Sequence, residues 1–80
     1  MKQLSSLELE VYPNPTRDFV HLEMSVSSAE VIIYDASGKI INKMNVNTGE
    51  VIDFRNVEPG VYFLHINAEN SETIKRIVKQ

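Results

Sequence analysis

Residues 7–16 read LELEVYPNPT. Leu7, Leu9 and Val11 alternate with Glu8, Glu10 and Tyr12, a period of two that sends apolar and polar side chains to opposite faces of an extended strand. Pro13 and Pro15 then end it. Proline has no N–H to give to a β-ladder, and it keeps the residue before it out of the helical region. Tyr12 and Asn14 each precede a proline, so the segment reads as a stiff, extended corner, with the Asn14 side chain capping the turn that follows.

The same alternation recurs along the chain. Val20, Leu22 and Met24 alternate with Phe19, His21 and Glu23. Val31 and Ile33 open a run that closes at Tyr34-Asp35. Ile52 and Phe54 flank Asp53. Tyr62, Leu64 and Ile66 alternate with Val61, Phe63 and His65. Ile74, Ile77 and Val78 stand among Lys75, Arg76 and Lys79. Between the runs lie turn residues. Asp35-Ala-Ser-Gly38 reads as an Asx-turn with glycine at a positive φ. Asn47-Thr-Gly49 is a second turn. Glu58-Pro-Gly60 has proline and glycine suited to the two central places of a type II turn. Asn67–Ser71 is a polar loop, and Ser25–Glu30 reads as a connection. Strands are therefore expected near 7–12, 18–25, 30–35, 39–46, 50–54, 61–67 and 72–79. Turns about every 10 to 12 residues are the spacing of an all-β sandwich. Each strand has one apolar face to hide, so two packed antiparallel sheets are the expected architecture.

Eighty residues make one small domain. The chain has no cysteine, so it holds no disulfide framework and no thiolate metal site. Its net charge of −3 speaks against nucleic acid as the main partner. Residues 71–80 carry Lys75, Arg76 and Lys79 against Glu72, a balance of +2 that leaves −5 on the rest. No apolar run approaches the ~18–20 residues that span a bilayer, so no stable membrane insertion is expected. No apolar stretch of the signal-peptide kind follows Met1-Lys2. His21 and His65 each lie mid-strand on the face opposite the apolar set, Asp35, Asp53 and Glu58 sit at strand ends and turns, and Gly38-Lys39 lacks the glycine-rich run of a phosphate loop. No catalytic residue, metal site or cofactor site is read, and the chain is expected to be non-catalytic.

Four boxes stand in order: Val11-Tyr-Pro-Asn-Pro15; Val31-Ile-Ile-Tyr-Asp35 with Gly38-Lys39; Val57-Glu-Pro-Gly-Val-Tyr62-Phe-Leu; and Ile74-Lys-Arg-Ile-Val-Lys79. Together they resemble the type A C-terminal sorting domain of the type IX secretion system, over residues 11–80. Residues 1–10 are then the tail of a linker or cargo. The chain departs from the family pattern at Val57-Glu58, where a leucine-led pair is common, and at Asp18-Phe19, where glycine is common. The resemblance implies a small Ig-like antiparallel sandwich of about seven strands that directs a cargo protein through the outer-membrane translocon of a Gram-negative bacterium. It implies as partners the translocon and its shuttle proteins, an upstream cargo domain and a sortase-like cysteine peptidase. The peptidase would cut near residues 1–10 and join the cargo to anionic lipopolysaccharide. The cargo would reach the cell surface or the medium.

By their place in the last two boxes, Gly60, Tyr62, Lys75, Arg76 and Lys79 are expected to form the surface the translocon reads. Tyr12, Pro13, Asn14, Pro15, Tyr34, Asp35 and Gly38 are expected to shape the fold. Plainer readings stand beside these: Gly60 as a turn glycine, Tyr62 as a core residue with its hydroxyl at the rim, and Lys75, Arg76 and Lys79 as a solvated strand face. A competing function is an adhesive or carbohydrate-binding accessory module, which would need Tyr12, Tyr34, Tyr62, Phe19 or Phe63 on an exposed platform. Aromatics are only 8% of the chain, and most of them read as in phase with the core. A structural spacer is a third possibility.

Overall fold

A computed structural model describes residues 8–69 and 71–80. The strands are β1 (Leu9–Tyr12), β2 (Phe19–Met24), β3 (Ser28–Asp35), β4 (Ile40–Asn47), β5 (Val51–Asp53), β6 (Gly60–Ala68) and β7 (Ser71–Lys79). All seven expected strands are present within a few residues of their expected ends. Leu7 and residues 1–6 lie outside the described residues, while Leu9 and Glu10 pair with Met24 and Glu23 in β1 and β2. The stretch read as a connection at residues 25–30 is shorter than expected. β3 already starts at Ser28, because Ala29 is in phase with Val31 and Ile33 and is buried with them.

One sheet has the order β1-β2-β5 and the other β4-β3-β6-β7, with every neighbouring pair antiparallel. This is the strand distribution of an Ig-type sandwich: β1, β2 and β5 stand at the places of strands A, B and E, and β4, β3, β6 and β7 at those of C′, C, F and G. The alternation in each strand builds the core. Val20, Leu22 and Ile52 come from the first sheet, Phe54 from the residue just after β5, and Val31, Ile33, Val46, Leu64, Ile66 and Ile77 from the second. Burying these side chains is the main favourable term in a domain this small.

The Asp35 turn forms as read. Its Oδ1 accepts from the backbone N–H groups of Ser37 and Lys39, both at 2.9 Å, and from the Ser37 hydroxyl at 2.7 Å. The Ser37 hydroxyl, followed by the backbone donors, holds the Asp35 carboxyl below its ordinary range. Gly38, at φ 92°, closes the loop. The Pro59-Gly60 turn differs from expectation. The third position of a type II turn needs φ near +80°, and Gly60 has φ 154° and is the first residue of β6, paired with Lys79. A Cβ there would meet only Tyr62 Cε2, at 3.9 Å, so backbone conformation and not crowding is the reason for glycine.

Most of the aromatics are not in the core. Phe54 and Tyr62 pack edge to face inside it, with centroids 5.9 Å apart. Tyr12, Phe19, Tyr34 and Phe63 lie on the outward phase of their strands instead, because β-rich sequences also place aromatics on solvent-facing sheet surfaces as cross-strand partners.

Candidate functional site: the terminal strand and its clamps

β7 is a border strand. Its pairing with β6 uses one set of main-chain groups, and the even-numbered residues turn theirs outward. The YPNP corner occupies part of that outward row. Asn14 Nδ2 donates to the Arg76 carbonyl at 2.9 Å, and Asn14 Oδ1 accepts from the Val78 N–H at 3.0 Å. Thr16 continues the row: its N–H donates to the Val78 carbonyl and the Gln80 N–H donates to the Thr16 carbonyl, both at 2.8 Å. Thr16 is buried and sends its hydroxyl to the Phe19 carbonyl at 2.7 Å. Both Tyr12-Pro13 and Asn14-Pro15 are cis, and Asn14 and Pro15 form a bend, not the extended corner expected. Asn14 does not cap its own turn. Its carboxamide has the donor and acceptor of a peptide group, and here it stands in for one beside a strand 62–64 residues away.

The five residues expected to form a recognition surface divide into two groups. Lys79 is not solvated. It shares the inward phase of Ile77, is buried, and donates from Nζ to the Val57 carbonyl at 2.6 Å. Tyr62 is also buried, and its hydroxyl donates to the Glu58 carbonyl at 2.6 Å. A tyrosine near the start of strand F that bonds back to the chain four residues upstream is the tyrosine corner of Ig-type sandwiches. Burial, followed by the charges of Glu58 and Asp35, pushes the Tyr62 phenol up. Both side chains fasten the loop before β6, and Gly60 opens the strand directly after that loop. Lys75 and Arg76 are half-buried and exposed respectively and point to opposite sides of β7, so the basic strip is not a single face.

Replacing Tyr62 with Phe keeps the ring packing and removes the loop bond. The Glu58 carbonyl regains water only in part, and the expected loss is about 1–2 kcal/mol of unfolding free energy in a denaturant titration.

The outer face of the three-stranded sheet is crowded with paired side chains. The Tyr12 and His21 rings stack at 5.1 Å and 7°, and the Arg55 guanidinium lies 5.0 Å above the Phe19 ring. Arg55 grips Asp53 through Nε at 3.0 Å and Nη2 at 2.8 Å. The Arg55 side chain, and then its backbone N–H, lower the Asp53 carboxyl to about 2. A folded-state value below the unfolded one stabilises the fold above the unfolded carboxylate range, ~4. The contribution falls as pH drops through about 2. Asp53→Asn is therefore expected to flatten the acid side of a Tm-against-pH curve between about 4 and 2 and to change its slope little near neutrality.

Among the described residues, no group of three or more His, Asp or Glu side chains lies close enough to hold a metal ion. What the geometry presents is a small Ig-like sandwich module whose first corner and last strand are tied together. The chain belongs to the secretion system C-terminal sorting domain family, which it matches over residues 10–80. It is also 31% identical over 67 residues to a protein named Beta-agarase A from Zobellia galactanivorans, a match that covers 80% of this chain and 12% of that protein. The chain thus spans about an eighth of the length of this curated relative. Membership makes it a type IX secretion sorting signal, a domain that marks a protein for export to the cell surface or medium.

Proposed function

We propose that this domain carries its cargo through the type IX outer-membrane translocon, with the shuttle proteins of that system reading the end of the sandwich where β7, the YPNP corner and the loop before β6 meet. The observation that carries the reading is the convergence of three family boxes at one end: Asn14 on β7, and Tyr62 and Lys79 on the Val57-Glu58 loop. Lys75 and Arg76 are the cationic groups left to face a partner, while Gly60, Tyr62 and Lys79 hold that end in shape.

A sortase-like cysteine peptidase then removes the domain near residues 1–10, ahead of the corner, and the new cargo terminus is joined to anionic lipopolysaccharide. The domain itself is non-catalytic. Similarity to a far longer protein named as an agarase supports reading it as an appendix to an exported enzyme. A carbohydrate-binding role is the weaker alternative, because stacking on a sugar needs free ring faces. Tyr12 has one face taken by His21, and Phe19 has one taken by Arg55.

The test replaces Lys75 and Arg76 together with alanine in a secreted fusion. Export is expected to fall sharply while circular dichroism shows an intact β fold. A folded variant exported at the normal level would overturn the role given to these two side chains.

A further inference from the structure

β1, like β7, is a border strand, and its outward main chain is open. Leu22 in β2 gives its N–H to the Glu50 carbonyl and accepts the Gly49 N–H, so it bonds toward β5. Its neighbours His21 and Glu23 therefore bond toward β1, where they stand opposite Tyr12 and Glu10. The Ser25 N–H, next in that alternation, donates to the Glu8 carbonyl at 2.9 Å. Leu9 and Val11 lie between these pairs and turn both N–H groups and both carbonyls away from the sheet. Among the described residues nothing pairs with them.

Beside this open row runs a groove of about 500 Å³, lined by Leu9, Glu10, Val11, Tyr12 and Lys75. The side chains of Leu9 and Val11 are only partly buried on its inner side. On the outer face Glu10 stands directly opposite Glu23, with Glu8 two residues along β1. Among the described residues no lysine or arginine forms an ion pair with any of the three. Like charges directly opposite in a sheet are unfavourable.

We propose that β1 is a docking edge for an extended segment of a partner protein, one that alternates apolar and cationic side chains and adds a strand to the three-stranded sheet. In strand addition the main-chain bonds, here to Leu9 and Val11, hold the segment, and alternate side chains select it. The charges define which segment fits. Side chains on its outer phase come beside Glu10, where a lysine or arginine relieves the repulsion from Glu23. Side chains on its inner phase enter the groove against Leu9 and Val11, where apolar groups fit and half-buried Lys75 rejects a cation. The phase is fixed from both sides, because a slip by one residue exchanges the two faces. A short strand that carries glutamates is a blunt edge for neutral or acidic strands, and it stays open to a cationic one. Few main-chain bonds make a weak, transient contact, with a dissociation constant on the order of 1 mM for a short peptide. The inference rests on β1 and is independent of the sorting role.

NMR titration of the nitrogen-15 labelled 80-residue chain tests it with two seven-residue peptides, one alternating valine and lysine and the other valine and glutamate. At about 5 mM lysine peptide, the Leu9 and Val11 amides are expected to exchange with water roughly fivefold slower, while the Ile74 and Leu64 amides keep their rates. The glutamate peptide is expected to bind at least about tenfold more weakly. Glu10→Lys, at an exposed site, removes the like-charge pair and should keep the dispersed spectrum of the fold. It is expected to weaken the lysine peptide about tenfold and to strengthen the glutamate peptide. Unchanged exchange at Leu9 and Val11 in millimolar lysine peptide would overturn the proposal. So would shifts confined to the glutamates with no slowing, which is a contact of charge alone, or slowing at Ile74 in place of Leu9 and Val11, which puts the peptide on β7.

Discussion

Leu64→Ala is expected to remove about 3–4 kcal/mol of unfolding free energy. Leu64 has no exposed surface and lies on β6, between β3 and β7 in the larger sheet. Its neighbours on the inward phase, Tyr62 and Ile66, are buried as well, so the lost side chain leaves a cavity walled by strands that hydrogen bonds hold on both sides. Such a site collapses little, which puts the cost toward the upper part of the usual range. Small domains hold only about 5–10 kcal/mol in all. Thermal unfolding should fall by about 15–25 °C, and differential scanning calorimetry reads it directly. A drop of only a few degrees would mean that the two sheets are not packed on each other as described.

Asn14→Ala is expected to cost about 2 kcal/mol, the sum of two hydrogen bonds lost together. The cost should appear mainly in one place. Val78 loses its acceptor and Arg76 its donor, while the β6–β7 pairing on the other side of the strand is untouched. The Val78 amide should exchange with solvent roughly tenfold faster or more in native-state hydrogen exchange, and the Leu64 amide should change no more than global stability requires. Asn14→Asp keeps the acceptor for Val78 and turns an acceptor toward the Arg76 carbonyl. It should therefore fail to rescue, which separates a peptide-like carboxamide from a simple polar side chain.

The strands were legible because each hides one face, and a period of two records this locally. Val20-His-Leu22 and Tyr62-Phe-Leu64 state their burial without help from the rest of the chain. The sheet order was not legible, since nothing in β2 names β5 as its second neighbour. Lys79 and Asn14, two of the misread side chains, fail for different reasons. The signal for Lys79 was present, because it keeps phase with Ile77, but a lysine on a terminal strand reads as solvated unless that phase is followed to its end. Asn14 had no local signal at all. Its partners are 62 and 64 residues away, and its usual behaviour before a turn is to cap. The tyrosine corner fell between these cases. Tyr62 was legible as core with its hydroxyl at the rim, whereas the acceptor, the Glu58 carbonyl, depends on how the loop folds back.

The central claim is that this sandwich is by itself sufficient as an export address. The direct measurement fuses residues 1–80 behind a fluorescent protein with a periplasmic signal peptide, in a host with the type IX system and in the same host without its translocon. The account predicts fluorescence at the surface or in the medium only where the translocon is present, and mass spectrometry should find a new cargo terminus near residues 1–10. A folded fusion held in the periplasm of both strains would contradict it.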